Sequence, residues 1–405
     1  MRHLKFIESV FFGYFINFVL LIYCVTRFLF YSSMEAGYGD ENIFISNLEY
    51  LKTAGFIAAV ESQISVPHSI LVYPLTLIFE THIALRIVNL LLLITLTIYV
   101  FKKFKWRNYF LLLFYLFSGS AFFIGTNDGL FHFSLVIFIL ESYLYINSKK
   151  QSLSIALVFL TIAFFTREMF ILYLPCCLFL LLGAYKVRKF EKLADFAPAI
   201  ITFLIFIILN IPSICENHAL SYEKKDGVGG NTWVERQYLS QLYANEGKIK
   251  NYSHVSWNEV SDYKLKYGEN SLPKNSFEHL YFDISLTLKE FVKDFLYMLK
   301  DSIRQMGLTQ IIIFIIPLVY IRRKPIEGFV IPLISLLTYF IFSLIIISYV
   351  EMRWLVPISI VSIVYFENFR LDYTSKNWKQ IYFTNVVTVS LIMIYGIVKL
   401  VPKII

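Results

Sequence analysis

Four places in this chain set ionisable residues between apolar runs, and their types are those of acid–base and anion chemistry. Tyr38-Gly39-Asp40-Glu41-Asn42 carries two adjacent carboxylates. Asp128 follows Thr126-Asn127, Arg167 stands beside Glu168, and Glu351 and Arg353 flank Met352. Neighbouring carboxylates can act as a general base and its orienting partner, or hold a divalent metal. Guanidinium groups are planar, permanently charged donors suited to an oxyanion. Each residue also has a plainer reading. Asp40 falls where a helix can begin, and acids favour a helix N-terminus as caps; for Glu41 capping and chemistry are equally well founded. The other charges can simply be solvated helix ends. Their recurrence at four turns is what favours a site, because an ionisable group flanked by apolar helix is costly.

The elements that must position these residues are membrane helices. Of 405 residues, 57% are hydrophobic and only 16% charged, with a mean hydropathy of +0.62. A soluble protein of this length cannot hide that much apolar surface. The net charge of +8 lies in short basic clusters between apolar runs, the pattern of a membrane protein rather than a nucleic-acid binder. Cys24, Cys176, Cys177 and Cys215 show neither CxxC nor Cys/His spacing, which argues against a disulfide framework or a zinc site. A spanning helix needs about 20 mostly apolar residues, and about eleven stretches qualify, several of them short. They fall near 8–30, 82–101, 108–125, 128–147, 152–166, 168–185, 196–214, 308–321, 327–349, 353–367 and 381–401. The first follows a basic start without a small-residue cleavage site and reads as a retained span.

With the N-terminus cytoplasmic, the inner segments collect most of the basic residues. These include Lys102, Lys103, Lys105, Arg107, Lys149, Lys150, Lys186, Arg188, Arg322, Arg323 and Lys324. The opposite short segments hold only Lys52, Arg167, Arg353 and Lys403, so the bias favours this orientation and an odd span count. The expected fold is therefore an all-α polytopic membrane protein in three parts. An N-terminal module, 1–214, carries a first outer segment at 31–81. A mostly helical outer region follows at 215–307, and C-terminal helices at 308–405. Within the outer region, Leu286 to Met298 repeats apolar residues every three or four positions, which predicts a helix at the membrane interface. All four charged turns then lie at one level, outside the cytoplasm.

The order of these motifs resembles the GT-C glycosyltransferases, multi-span enzymes that use polyprenyl-phosphate sugars. The likeness is to the branch containing protein O-mannosyltransferases and aminoarabinose transferases. There an acidic pair after the first span opens a helix, a proline-bearing apolar stretch follows, and the next span starts with an Arg. Here the matching residues are Asp40-Glu41, then Val66-Pro67-His68 through Tyr73-Pro74-Leu75, then Ala84-Leu85-Arg86. Leu160 to Pro175 and Glu351-Met352-Arg353-Trp354-Leu355-Val356-Pro357 are further similarities. The likeness covers about 30–180 and 320–366. The chain is shorter than the best-known members, and 215–307 matches none of their motifs.

The resemblance implies a polyprenyl-phosphate-linked sugar as donor and a glycolipid, glycan, lipid carrier or protein as acceptor, with no nucleic acid. It implies the membrane of a bacterial cell. Asp40 becomes the base, with Glu41 second, and Arg353, Arg167 and His68 the groups at the donor phosphate. Asp128, Glu168, Glu351 and Arg86 are further site residues. His68 suits an interface position better than a phosphate. Glu80, His82 and Arg86 share a helix face and can equally be a structural network. Trp233, Tyr238, Tyr243 and Trp257 are aromatics able to stack on a sugar. Asn251-Tyr252-Ser253 is a sequon pattern that matters only in a eukaryotic secretory setting. No cofactor is certain; a divalent metal stays open, with acids present but no ligand set evident. Three other readings compete. An O-antigen-type polymerase would place paired arginines in an outer loop, where Arg236 stands alone in the central part. A flippase or transporter would show internal repeats and midplane charges. A scaffold subunit would need no chemistry.

Overall fold

The computed structural model describes residues 10–104, 109–147, 152–188, 196–222, 228–250, 253–320, 326–345, 350–372 and 376–404. The basic clusters at Lys105, Arg107, Lys149, Lys150 and 321–325, the turn at Asp226-Gly227 and the sequon residues Asn251 and Tyr252 lie outside the described residues. The chain divides into two compact units. One comprises Met1–Glu223, Ser302–Ser335 and Leu355–Ile405; the other comprises Lys224–Asp301 and Leu336–Trp354. This differs from boundaries drawn on the sequence, since the turn bearing Glu351 and Arg353 belongs with the segment Lys224–Asp301.

The membrane unit opens with α1 (Val10–Ser32), followed by α2 (Glu41–Ala54), α3 (Phe56–Glu61), α4 (Val66–Thr76) and α5 (Thr81–Phe104). Then come α6 (Phe110–Ser118), α7 (Asp128–Ile146), α8 (Ser154–Thr166), α9 (Phe170–Arg188) and α10 (Ala197–Asn217). The long polar segment after α10 forms α11 (Trp233–Asn245), α12 (Trp257–Tyr267), α13 (Glu278–Phe282) and α14 (Ile284–Met306). The chain closes with α15 (Thr309–Tyr320), α16 (Val330–Ile345), α17 (Val356–Asp372) and α18 (Lys376–Leu400). No strand occurs among the described residues.

Among the described residues six helices are long and apolar enough to cross a membrane: α1, α5, α7, α9, α10 and α18. A seventh span results if α14 and α15, bent at the break between them, are taken as one. The remaining expected spans are shorter. The stretch 108–125 stops at Ser118, because Ser118-Gly119-Ser120 interrupts the helix and Gly119 is extended. The segments at 152–166 and 327–349 form helices of 13 and 16 residues, short of the length a straight span needs.

Helix α7 is the hub of this unit. On every side 94% of its spanning window is buried, and the burial takes in the polar side chains of His132, Ser134 and Glu141 as well as the apolar ones. Helices α5, α8, α9 and α17 surround it. By contrast α10 has only 17% of its window buried and turns Ile200, Leu204, Ile208 and Ile211 outward. That pattern is the reverse of a soluble core and marks a lipid-facing helix. Helix α1 packs on α6 and α18.

In the second unit, α11 and α12 both begin with a capping box. Thr232 pairs with Glu235 and Ser256 with Glu259, each side chain accepting or reaching the other's backbone N–H. Glu235 does double duty, since its other oxygen meets the buried Lys264 ammonium at 3.0 Å. Glu269 meets the same ammonium at 3.1 Å. Burial would lower the Lys264 ammonium's affinity for its proton, but the two carboxylates outweigh this and hold it above its ordinary range. Tyr238, Leu239, Val255, Val260 and Leu272 form the small core beneath them.

Candidate active site

The acidic pair is split by the fold into two different environments. Asp40 occupies the N-cap position of α2, is half-buried, and makes no cap hydrogen bond to its own helix. Glu41, one residue on, is fully buried. Its carboxylate is gripped from three segments. Arg86 of α5 donates from Nε to Oε1 at 2.8 Å and from Nη2 to Oε2 at 2.7 Å. Gly125 N–H donates to Oε1 at 2.8 Å and Gly37 N–H to Oε2 at 2.9 Å. Burial alone would raise the Glu41 carboxyl, but these donors overcome it and hold the group below the usual carboxylate range.

Two glycines make this grip feasible. Gly37 has φ +79°, and a Cβ there would run into the Asn42 side chain. At Gly125 a Cβ would stand 2.6 Å from the Leu85 Cβ and 2.7 Å from Glu41 Oε1. Arg86 completes its own shell on the loop after α1, donating from Nη1 to the Met34 carbonyl at 3.0 Å and from Nη2 to the Glu35 carbonyl at 2.9 Å.

Arg86 also forms part of the wall of a cavity of about 320 Å³. The rest of the wall is largely aromatic and aliphatic, with Phe28, Tyr31, Phe122, Phe123, Ile87 and Leu90, while His82 and Ser32 supply further polar groups. His82 leans on Glu80, with Nδ1 to Oε2 at 3.5 Å. The Glu80, His82 and Arg86 face is therefore divided: Arg86 turns to Glu41 and His82 to Glu80. Tyr31 stacks on Phe123 at 4.9 Å between ring centroids. Behind Tyr31 lies Arg27, which donates to the Tyr31 hydroxyl at 2.9 Å and to the Phe117 carbonyl at 2.8 Å, and sits 5.1 Å from the Tyr31 ring centroid. Arg27 is absent from the sequence-based set of site residues. The signal was present, since a single Arg inside an apolar span is by default functional or paired.

Asp128, at the N-terminus of α7, and Arg167, just past the C-terminus of α8, meet in a buried ion pair. The surrounding turns are tied by side chains: Asn127 Nδ2 donates to the Thr166 carbonyl at 3.0 Å, and Ser65 Oγ to the same carbonyl at 2.7 Å. Asn89 of α5 donates to the Ile124 and Thr126 carbonyls at 2.6 and 2.9 Å. With both charges buried and matched, this pair has the geometry of a brace between α7 and α8. Glu168 is exposed at the same turn, and its charge adds to the burial that raises the Tyr222 hydroxyl.

His68 is buried in α4 with its ring edge-on to Phe44, 5.5 Å between centroids. Its Nε2 meets no hydrogen-bond partner, and burial pushes the imidazole down to about 3. A neutral ring in an apolar setting suits packing, not anion binding.

In the second unit, Arg353 pairs with Glu351, Nε to Oε2 at 2.5 Å, and each side chain is about a quarter exposed (26% and 29%). Glu351 acts electrostatically on His254, raising its proton affinity against burial and the Arg236 charge, which together lower it. Arg236 lies 4.9 Å from the Trp257 ring centroid and donates from Nε to the Val255 carbonyl at 2.7 Å. Arg236, His254 and Glu351 thus share one electrostatic neighbourhood. Tyr238 is buried against Phe282, and Tyr243 packs on Tyr263 under the Lys248 ammonium. Among the described residues no three His, Cys, Asp or Glu side chains gather as a metal-binding group.

No family model matches the chain, and no curated protein or solved structure matches it.

Proposed function

We propose that this chain is a GT-C-like membrane glycosyltransferase. It transfers a sugar from a polyprenyl phosphate to an acceptor hydroxyl on the extracytoplasmic face of a bacterial cytoplasmic membrane. The count of about eleven crossings, with a cytoplasmic N-terminus, belongs to this reading and rests on the basic-residue bias of the loops. The observation that carries it is the position of Arg86. One residue both locks Glu41, next in sequence to Asp40, and lines an aromatic cavity in a membrane unit.

Such a cavity suits an amphiphile. Prenyl units pack on Phe28, Phe122, Phe123 and Leu90, and the donor phosphate meets Arg86 and His82 where negative charge develops on the leaving group. Because Glu41 already balances the Arg86 charge and four of its five N–H groups are engaged, Arg86 offers the phosphate one directed Nη1 N–H more than net attraction. Asp40 takes the proton of the acceptor hydroxyl. That oxygen attacks the anomeric carbon, the carbon–oxygen bond to phosphate breaks, and polyprenyl phosphate departs with the electron pair. A single displacement inverts the anomeric centre. Glu41 is a positioning residue in this scheme, since its carboxylate is saturated by four donors.

The test is product formation in proteoliposomes supplied with labelled polyprenyl-monophosphate sugars and a lysate-derived acceptor fraction. Transfer from a monophosphate donor supports the reading. Activity confined to diphosphate-linked oligosaccharides would move the chain to the polymerases, and movement of the donor across the bilayer without covalent change would move it to the transporters.

A further inference from the structure

Helix α14 is built inside out. Its inward face is polar: Thr287, Glu290 and Asp294 are buried, one helical turn apart, and Met298 follows. Glu290 is held there by Lys293 at 2.8 Å and by Asn245 Nδ2 of α11 at 3.1 Å. Its outward face is an aliphatic ladder of Ile284, Leu288, Val292 and Leu296, spaced four residues apart and between 54% and 61% exposed. At 100° per residue the ladder sweeps from the position of Ile284 to that of Leu296, and Lys289 and Lys300 follow next around the wheel. Both lysines are exposed. Three stripes therefore run along one helix: apolar and outward, basic at the edge, acidic and inward.

Too many charges punctuate α14 for it to cross a bilayer alone, with Lys289, Glu290, Lys293, Asp294, Lys300 and Asp301 in its length. An exposed ladder with a cationic border has instead the composition of a helix lying in the headgroup plane. The chain just before it adds to the patch, since Phe277 and Tyr281 are each 69% exposed. Aromatic side chains of this kind favour the membrane–water boundary.

We infer that α14 is a membrane-surface helix that docks on anionic lipid. Ile284, Leu288, Val292 and Leu296 enter the acyl boundary, and Lys289 and Lys300 pair with headgroup phosphates. The acidic stripe cannot face such a surface, which explains why Glu290 and Asp294 turn into the protein. The inference is independent of the proposed transfer reaction.

The test uses the full chain with Cys24→Ser and Cys215→Ser, a nitroxide at Val292→Cys, and nanodiscs of phosphatidylcholine with or without phosphatidylglycerol. Collision with oxygen and with a water-soluble nickel chelate reports depth, and a nitroxide at Glu246→Cys on an exposed turn gives the aqueous reference. The expected result is low nickel and high oxygen collision at Val292, with the contrast increasing severalfold when phosphatidylglycerol is present. Lys289→Gln with Lys300→Gln removes that increase; Lys293 is kept because it neutralises Glu290. Nickel collision at Val292 equal to the reference overturns the inference, as does protection that ignores the anionic lipid. Dipolar broadening between labelled copies at low protein density also overturns it, because a second copy would then be the occupant.

Discussion

Arg86 and Glu41 are joined by two hydrogen bonds, 2.8 and 2.7 Å, that fasten α2, in the segment after α1, to the apolar helix α5. The two partners differ in burial: Glu41 has no exposed side-chain surface, whereas Arg86 keeps 18%. Removing one member of a buried pair costs roughly 3–5 kcal/mol, since it strands the other charge. Arg86→Met strands the deeper charge and is expected at the upper end of that range. Glu41→Gln leaves Arg86 with two carbonyl acceptors and some water, and is expected at the lower end. Thermal unfolding in one detergent, comparing the two variants with the wild type, reads the order. The reverse order would show that the carboxylate, not the guanidinium, bears the compensation.

Gly125 donates to Glu41 and has no room for a Cβ between Leu85 and the carboxylate. Gly125→Ala should therefore lower stability by about 1–3 kcal/mol through overpacking. Combining it with Leu85→Gly removes the Cβ that makes one of the two clashes. The double variant is expected to lose less stability than the two single losses together, and strict additivity would count against the steric account.

His68 gives the membrane unit an acid-sensitive term. Its folded imidazole is held near 3, while an unfolded one titrates near its ordinary value of about 6.5. Falling pH then protonates the unfolded chain first. Stability is unaffected above about pH 6.5 and declines below it by up to about 1.4 kcal/mol per pH unit for this one group. Glu41, with its pKa lowered, adds a loss only below about pH 4.3, outside that window. His68→Leu should flatten the wild-type slope between pH 6.5 and 5 by one proton's worth. His254 and His279 also sit below the ordinary range and contribute equally to both proteins. Identical slopes for wild type and variant would refute the assignment.

The cavity beside Arg86 predicts a size-dependent loss of donor binding. Ile87 lies on its wall without joining the Glu41 ion pair. Ile87→Trp fills the space and should raise the Kd for polyprenyl phosphate by at least about tenfold, equivalent to about 1.4 kcal/mol. Ile87→Val keeps the wall and should bind as the wild type does. Titration of the purified variants with a fluorescent polyprenyl phosphate separates the cases.

Much of the architecture could be read from the residues, and the misses have physical causes. Long apolar runs such as Thr81–Phe104 and Ala197–Asn217 were legible because a bilayer demands length and apolarity together. The stretch at 108–125 misled because hydropathy is blind to the Ser118-Gly119-Ser120 break. The amphipathic helix over Leu286 to Met298 is legible from periodicity, though periodicity cannot say which polar stripe is buried, and α14 buries the acidic one. Placing Asp128 and Arg167 at the same level was sound; that they pair with each other is a tertiary fact. The adjacent acids Asp40 and Glu41 looked interchangeable, and only the positions of Gly37, Arg86 and Gly125 separate a saturated carboxylate from the half-buried one beside it. Glu141, deep in α7 with Tyr99 and Lys103 as partners, went unnoticed because its partners are on another helix.

The base assigned to Asp40 is tested most directly by a single-turnover experiment in proteoliposomes, with labelled polyprenyl-phosphate sugar already bound and acceptor added at time zero. Asp40→Asn preserves size and removes the proton acceptor. The account predicts unchanged donor binding and a transfer rate lower by about 10²–10⁴-fold, the usual contribution of a general base. A variant that transfers sugar at the wild-type rate would contradict it.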